Sequence, residues 1–337
     1  MDKSKLGISK KLIFVLTPLL IAIICLGIGR YTIRLDQTFK ILFSPLTKIG
    51  VNYADYIVIF NIRFPRIILA FSVGLGLAIS GAAFQSMFSN PLATPDTLGV
   101  ASGASFGAAL ALLFGFSFIG VQAMAMILGM VALLITLWIG KNSISQSKIV
   151  MIVLSGIVVS SLFKALVSGV KYIADPNDTL PAITYWLMGS MNGANFKTLL
   201  LGLPSIFIGS LIIFLLRWRL NIISLSDDEA NSLGGYVQLV RILIMFSATL
   251  VTASCVSMCG AVGWVGLLIP HVSRLLVGSD NTRIIPISMS LGASFMIIVD
   301  TLARSISASE IPLSILTALI GAPFFISLLK KLGGAKL

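Results

Sequence analysis

Apolar runs of about 18 to 20 residues return along the whole chain, each ended by a short polar or basic break, and that pattern leaves few folds open. A helix needs about 20 mostly apolar residues to cross the hydrocarbon core of a bilayer. The runs cover residues 12–29, 67–84, a stretch from 97 through the glycines at 99, 103 and 107, then 119–139, 149–169, 199–216, 241–258, 260–277, 283–304 and 311–329. In lipid every backbone polar group must find its partner within the protein, so only helices and closed barrels can span. No ten-residue alternation of the barrel kind is present. Charged residues make up 11% of the 337, against about 25% in a soluble domain. The expected fold is an all-α membrane protein, a polytopic bundle of about ten transmembrane helices in a single domain over 1–337, with both termini cytoplasmic.

Lys3, Lys5, Lys10 and Lys11 precede the first run and give it the beginning of a signal peptide. The run is too long for one and lacks an Ala-x-Ala exit, and Ile24 before Cys25 is not the small residue of a lipoprotein site. It reads as the first span. Residues 30–63 read as a polar outward loop. The net charge of +12 is no nucleic-acid signature, because Lys and Arg gather at the ends of runs as the positive-inside rule expects. Alternate counting puts 217–240 inside and Arg63, Arg66 and Arg304 outside. Cys25, Cys255 and Cys259 lie in apolar runs without ligand company, so neither a disulfide framework nor a metal site is expected. Lys164 reads as close enough to the outer end of its run to snorkel, and the lone His271 as structural.

Between the sixth and seventh runs stands a compact polar element, Leu225-Ser226-Asp227-Asp228-Glu229-Ala230-Asn231-Ser232-Leu233-Gly234. Ser226 and Glu229 have capping-box spacing. Asp227 and Asp228 fall where the helix dipole favours negative charge, and Gly234 can end the helix. Such a short helix is unstable alone and must lie on something, with Ala230 and Leu233 as its apolar contacts. It fits an ordinary loop helix or a docking element equally well. Arg63 and Arg66 flank Pro65 at a helix start and suit interfacial anchoring. Glycines at 99, 103 and 107 suit close helix packing.

Taken together, Arg63-Phe64-Pro65-Arg66, Asn90 through Gly99, Tyr185 through Ser190, Leu225 through Gly234, Gly266 through Arg274, and Asp300 through Arg304 with Gly321-Ala322-Pro323-Phe324-Phe325 resemble, in order, the FecCD-type permeases of bacterial ABC importers for iron chelates, haem and cobalamin. The resemblance implies a multi-pass protein of the bacterial cytoplasmic membrane. It implies a second permease subunit, identical or closely related, two cytoplasmic ATPase subunits and an extracytoplasmic substrate-binding protein. Residues 225–234 would be the coupling helix on the ATPase, with Leu225, Ser226, Asp227, Asp228, Glu229, Ala230, Leu233 and Gly234 as its working residues. Arg63, Arg66 and Arg304 would meet acidic groups of the binding protein, and Asn90 and Leu92 would narrow the inner end of the pathway. No cofactor is expected on this chain; ATP-Mg would sit on the ATPases. A ferric siderophore is the expected cargo, with haem or cobalamin as the alternative.

Other classes fare worse on the residues. Gly140-Lys141 is followed by Asn142 and has Ile135 where a P-loop would begin, so no nucleotide site forms. A proton-coupled carrier would need intramembrane carboxylates in a cluster, and no nucleophile–base set or metal set suggests an enzyme, so no catalytic residue is assigned.

Overall fold

Helices are the only regular elements among the residues the computed structural model describes, which are 8–47, 50–141, 148–225, 227–232, 237–307 and 309–333. In chain order they are α1 (Ile8–Gly27), α2 (Leu35–Thr47), α3 (Tyr53–Ile57), a π-helical turn (Val58–Arg63) that joins α3 to α4 (Phe64–Met87), α5 (Val100–Leu113), α6 (Phe118–Lys141), α7 (Lys148–Ile173), α8 (Thr179–Met188), α9 (Phe196–Leu215), α10 (Arg219–Ile223), α11 (Asp227–Ser232), α12 (Val237–Cys259), α13 (Val265–Val277), α14 (Asn281–Ile306) and α15 (Leu313–Gly333). Among the described residues six spans are long and apolar enough to cross a membrane: Tyr53–Met87, Phe118–Gly140, Val150–Ile173, Phe196–Leu215, Val237–Cys259 and Asn281–Ile306. Shorter apolar helices at Leu12–Gly27, Val100–Leu113, Val265–Val277 and Leu313–Ser327 account for the remaining runs.

The bundle is built on α4. It runs antiparallel to α14, and three contacts fix the register from end to end. Arg66 bonds Asp300 at one end, Gly74 faces Gly292 in the middle, and Ser86 bonds Asn281 at the other end at 2.6 Å. At the crossing no side chain separates the backbones. A Cβ on Gly74 would strike the Gly292 carbonyl, and one on Gly292 would strike the Gly74 carbonyl. Lipid offers no hydrophobic drive between helices, so contact of this closeness is the main source of helix association there. Glycines on the other sides of α4 repeat the device: Gly76 seats Val251 and Cys255 of α12, and Gly81 abuts the backbone of α13 at Gly266.

α1 runs parallel to α14, since Ser290 donates to the Phe14 carbonyl and Arg304 to the Cys25 carbonyl. On the far side, α5 packs on α6. Gly103 and Gly107 lie against the Leu128 and Met124 carbonyls, which is the close approach their spacing suggested. Gly99 lies close to the backbone of α7 at Ser160 and Gly156, and at φ 77° it also ends the preceding loop just ahead of α5.

Three expectations are corrected. Residues 30–63 are not an outward loop. They contain α2, and the helix ending at Met87 begins at Tyr53, capped by Asn52, whose side chain accepts from the Ala54 amide at 2.9 Å. Fully buried Ile59 and the partly buried Val58 and Phe60 explain why this stretch joins the core. The span expected from Gly260 starts only at Val265, because Gly260 (φ 75°) and Trp264 (φ 69°) hold left-handed conformations that a helix cannot continue through. α7 runs on to Ile173, where Val170 and Ala174 pack into a small cluster with Ala109 and Ile183.

Gly74→Val and Gly292→Val are each expected to destabilise the protein by about 1–3 kcal/mol or more, since extra carbons at a full contact force the backbones apart. The readout is the thermal midpoint of the detergent-solubilised protein. Gly50→Val, where nothing lies within 4 Å, should leave that midpoint unchanged.

Candidate functional site

The two regions singled out in the sequence sit at opposite ends of the α4–α14 pair. α4 is 24 residues long, which is about 36 Å. Arg63 precedes its first residue. Beyond its last turn, the Ser89 hydroxyl donates to the Ser224 carbonyl just after α10. α14 carries Asn281 at the α10 end and Arg304 at the other.

At the α10 end the chain leaves α9, turns through Arg217 and Arg219, and forms α10 and α11. Arg217 lies over the Phe214 ring and Arg219 over the Trp218 ring, 4.1 and 4.0 Å from the centroids. These stacks hold both guanidiniums against apolar surface. α11 covers Asp227–Ser232; Ser226, Leu233 and Gly234 of the expected coupling element lie outside the described residues. Ala230 is fully buried in the cluster that also takes Leu220 and Ile223 of α10, while Glu229 is exposed and Leu225 is 41% exposed. The short helix therefore lies on α10, as its length required.

α10 is in turn tied to the bundle through a clasp that sequence reasoning missed. The Asn221 amide donates to Asp280 Oδ1, and its carbonyl accepts from the Asn281 backbone N–H, both at 2.9 Å. Asn281 reaches Ser86 on α4. Asp280 also caps α14, accepting from the Thr282 amide at 2.9 Å and the Thr282 hydroxyl at 2.7 Å. Partial burial would raise the Asp280 carboxyl, but the Asn221 and Thr282 donors and the Arg283 charge outweigh it and hold it below its ordinary value of 3.8. The Asp280-Asn281-Thr282 cap signal is legible in the sequence; its partner Asn221, about 60 positions away, is not.

Asn90 and Leu92 are at this same end. Both are exposed, and the Asn90 side chain accepts from the Leu92 amide at 2.9 Å, making a local turn. The loop continues to Asp96, whose Oδ1 accepts from the Ala101 and Ser102 amides at 3.0 and 3.3 Å. It thereby caps α5, which has glycine at the position before its first turn.

At the opposite end Arg63, Arg66 and Arg304 come together, but none stands free at the surface. Arg66 is 6% exposed. Its Nε donates to both Asp300 oxygens at 2.8 and 3.0 Å, and its two terminal nitrogens donate to the Glu310 carboxylate at 2.9 and 3.0 Å. Asp300 lies 3.8 Å from Arg304, so the one-turn pair foreseen in the sequence is present, with Arg66 as the nearer partner. Arg63 donates to the Leu26 carbonyl at 2.6 Å and to that of Tyr31. Arg304 donates to the Cys25 carbonyl at 2.7 Å. The strap from Cys25 to Tyr31 thus lies over two guanidiniums, and a Cβ on Gly29 would come within 2.7 Å of both. The strap is pinned from outside by the Tyr31 hydroxyl, which donates to Asp55 at 2.7 Å. That carboxylate pushes the Tyr31 phenol above its usual value. Glu310, the other residue sequence reasoning missed, adopts φ 50°, a left-handed conformation tolerable because both its oxygens are held. Among the described residues no group of three or more His, Cys, Asp or Glu could hold a metal ion.

Comparison with known proteins covers nearly the whole chain. The model of the FecCD transport family matches residues 16–331. The molybdate import system permease protein MolB of Haemophilus influenzae is 43% identical over 324 residues, 96% of each chain. The Fe(3+)-citrate import system permease protein YfmE of Bacillus subtilis is 35% identical, covering 97% of this chain and 96% of its own. A solved metal-chelate type ABC transporter in an inward-facing conformation superposes with a TM-score of 0.85 at 40% identity, covering 96% of this chain and 99% of that one.

Breaking a buried charge pair on one side leaves the other charge stranded, at a cost of about 3–5 kcal/mol. Asp300→Ala should therefore lower the thermal midpoint sharply, and Glu310→Gln much less, because Glu310 remains 22% exposed. A folded-state carboxyl held below 3.8 stabilises the native state above that pH and ceases to do so as pH falls through its lowered value. Limited proteolysis after Arg219 should accordingly quicken below about pH 4, and Asp280→Asn should make it quick at neutral pH.

Proposed function

The chain belongs to the FecCD transport family, and we propose that it is the permease subunit of an ATP-driven importer, working in the bacterial cytoplasmic membrane with both termini on the cytoplasmic side. In this reading residues 1–337 form one permease domain of about ten transmembrane passes. It pairs with a second permease subunit, two ATPase subunits and a binding protein outside, and binds no cofactor itself. The observation that carries the reading is the arrangement of the α10–α11 element. It is a short polar helix with one buried face, clasped through Asn221 to the ends of α4 and α14 at once.

Closure of the ATPases on ATP would move residues 225–234. The clasp passes that displacement to two helices that cannot bend independently, because their backbones touch at Gly74 and Gly292. Rigid-body motion is the natural response of so closely packed a pair. Asn90 and Leu92, at the end where the motion enters, would narrow or open the inner mouth. With Arg66, held by Asp300 and Glu310, bracing them from within, Arg63 and Arg304 would receive the binding protein at the other end. Its carboxylates would compete with the Cys25 and Tyr31 carbonyls for Arg304 and Arg63, so docking and movement of the strap would be one event. The gain would be in orientation and on-rate more than in affinity.

For the cargo, an iron chelate of the siderophore type remains the first reading, in keeping with the iron-citrate relative. A tetrahedral oxyanion is the second, favoured by the greater identity to the molybdate permease. Purified binding protein from the same operon, titrated with ferric citrate, a ferric siderophore and molybdate, decides between them.

An affinity-tagged copy of the chain should co-purify an ATPase; isolation without one would contradict the importer reading in favour of a secondary carrier. Leu233→Asp should leave the protein in the membrane and cut ATP-driven uptake by about tenfold, since docking interfaces concentrate their energy in a few apolar anchors. Arg63→Glu should slow import, and reversal of the opposing acid on the binding protein should restore it; failure of every such reversal would limit Arg63 to bracing the strap.

A further inference from the structure

α7 carries a charge where a membrane helix tolerates it poorly. Lys164 lies nine residues before Ile173, about 14 Å from the end of the helix, farther than a four-carbon stem reaches. Its side chain is exposed, as are Ser161 and Ser168, one turn to either side on the same face. Other exposed positions of α7, among them Ile157, Leu162 and Leu166, are apolar and suit lipid. Ionisable side chains in membrane helices face a protein interior or a water-filled cavity, not acyl chains.

A cavity is present. It holds about 350 Å³ between α5, α7, α8 and the loop at Ala261, and its polar wall is Asp96, Ser102, Ser105, Lys164 and Ser168. The one acid there is largely satisfied by the chain itself. Asp96 accepts from the Ala101 and Ser102 amides and from the Ser102 hydroxyl at 3.4 Å, so its charge caps α5. Burial pushes its carboxyl up, and the Ser102 donors and the Lys164 charge pull the other way. Lys164 is the group left with donors to offer.

We propose that this cavity is a way station on the transport path that binds an anionic oxygen group of the cargo through the Lys164 ammonium, with Ser105 and Ser168 lining the site, so that the permease itself selects for negatively charged cargo. The proposal rests on the importer reading and adds to it that the polar face of α7, with Ser161, Lys164 and Ser168, lines the pathway. The oxygen group belongs either to a chelate's carboxylate or to a free tetrahedral oxyanion.

The experiment uses the intact importer in proteoliposomes. Ser168→Cys provides a reporter, with Cys25, Cys255 and Cys259 all buried. A thiosulfonate bearing a sulfonate should label it about tenfold faster than one bearing a trimethylammonium group, as a positively charged cleft concentrates anions. Adding Lys164→Gln should abolish that preference, and Lys164→Arg should keep it. Protection by molybdate assigns the site to oxyanions, and protection by ferric citrate to chelate carboxylates. No labelling by either reagent, a preference unchanged in Lys164→Gln, or protection by neither anion would overturn the proposal. Co-purification of the ATPase reports separately on the importer reading, so the two can fail independently.

Discussion

The contact of α4 with α14 at Gly74 and Gly292 is the constraint on which the rest depends. Two backbones touching in mid-bundle leave no freedom for one helix to slide or tilt without the other. Polar contacts fix the register at both ends, Arg66–Asp300 and Ser86–Asn281. Close packing of this kind tolerates few intermediate arrangements, so displacement at one end becomes displacement of the whole pair. α12, α13 and α9 then settle against the remaining faces of α4, using its other small residues in the same way.

The two ends of that pair are finished differently, and the difference is physical. The α10 end uses two neutral amides, a hydroxyl and one half-exposed acid: Asn221, Asn281, Ser86 and Asp280. The bonds there are modest, about 1 kcal/mol net between neutral groups and about 1.5–3 kcal/mol to the Asp280 carboxylate, and can be remade after a shift. The other end uses buried charge. Arg66 sits between two carboxylates, and separating it from Asp300 would strand a desolvated ion. One end can yield to an applied force while the other keeps the helices in register. Over the charged end lies the Cys25–Tyr31 strap, held through its carbonyls by Arg63 and Arg304 and through the Tyr31 hydroxyl by Asp55.

Much of the fold was legible. The apolar runs identified nearly every long helix, and glycine spacing at 103 and 107 indicated close packing. Where the reading failed, local composition misled. Residues 53–63 carry enough polar groups to look like loop, yet Ile59 is fully buried and the chain stays helical, through a π-helical turn over Val58–Arg63. Gly260 to Trp264 looks apolar enough for helix but is held in left-handed turns. α7 runs four residues past the end of its apolar run, to Ile173, so Lys164 stands nine residues from the end of the helix. Arg63, Arg66 and Arg304 were recognised as a group, but Glu310 and the strap carbonyls that engage them were not, since nothing local to those positions marks them as partners.

By itself the sequence determined that this chain is a helical membrane protein, which family it resembles, and which short polar element interrupts its apolar runs. These follow from composition and from neighbours within a few residues, where side-chain period and capping chemistry operate. Only the tertiary structure decided what the charged and amide side chains bind. Asn221 meets Asp280, Arg66 meets Asp300 and Glu310, and Lys164 faces a cavity beside Asp96. Such partners lie tens to hundreds of positions apart, and in a low-dielectric interior a polar group takes whichever partner packing brings within reach, wherever it stands in the chain.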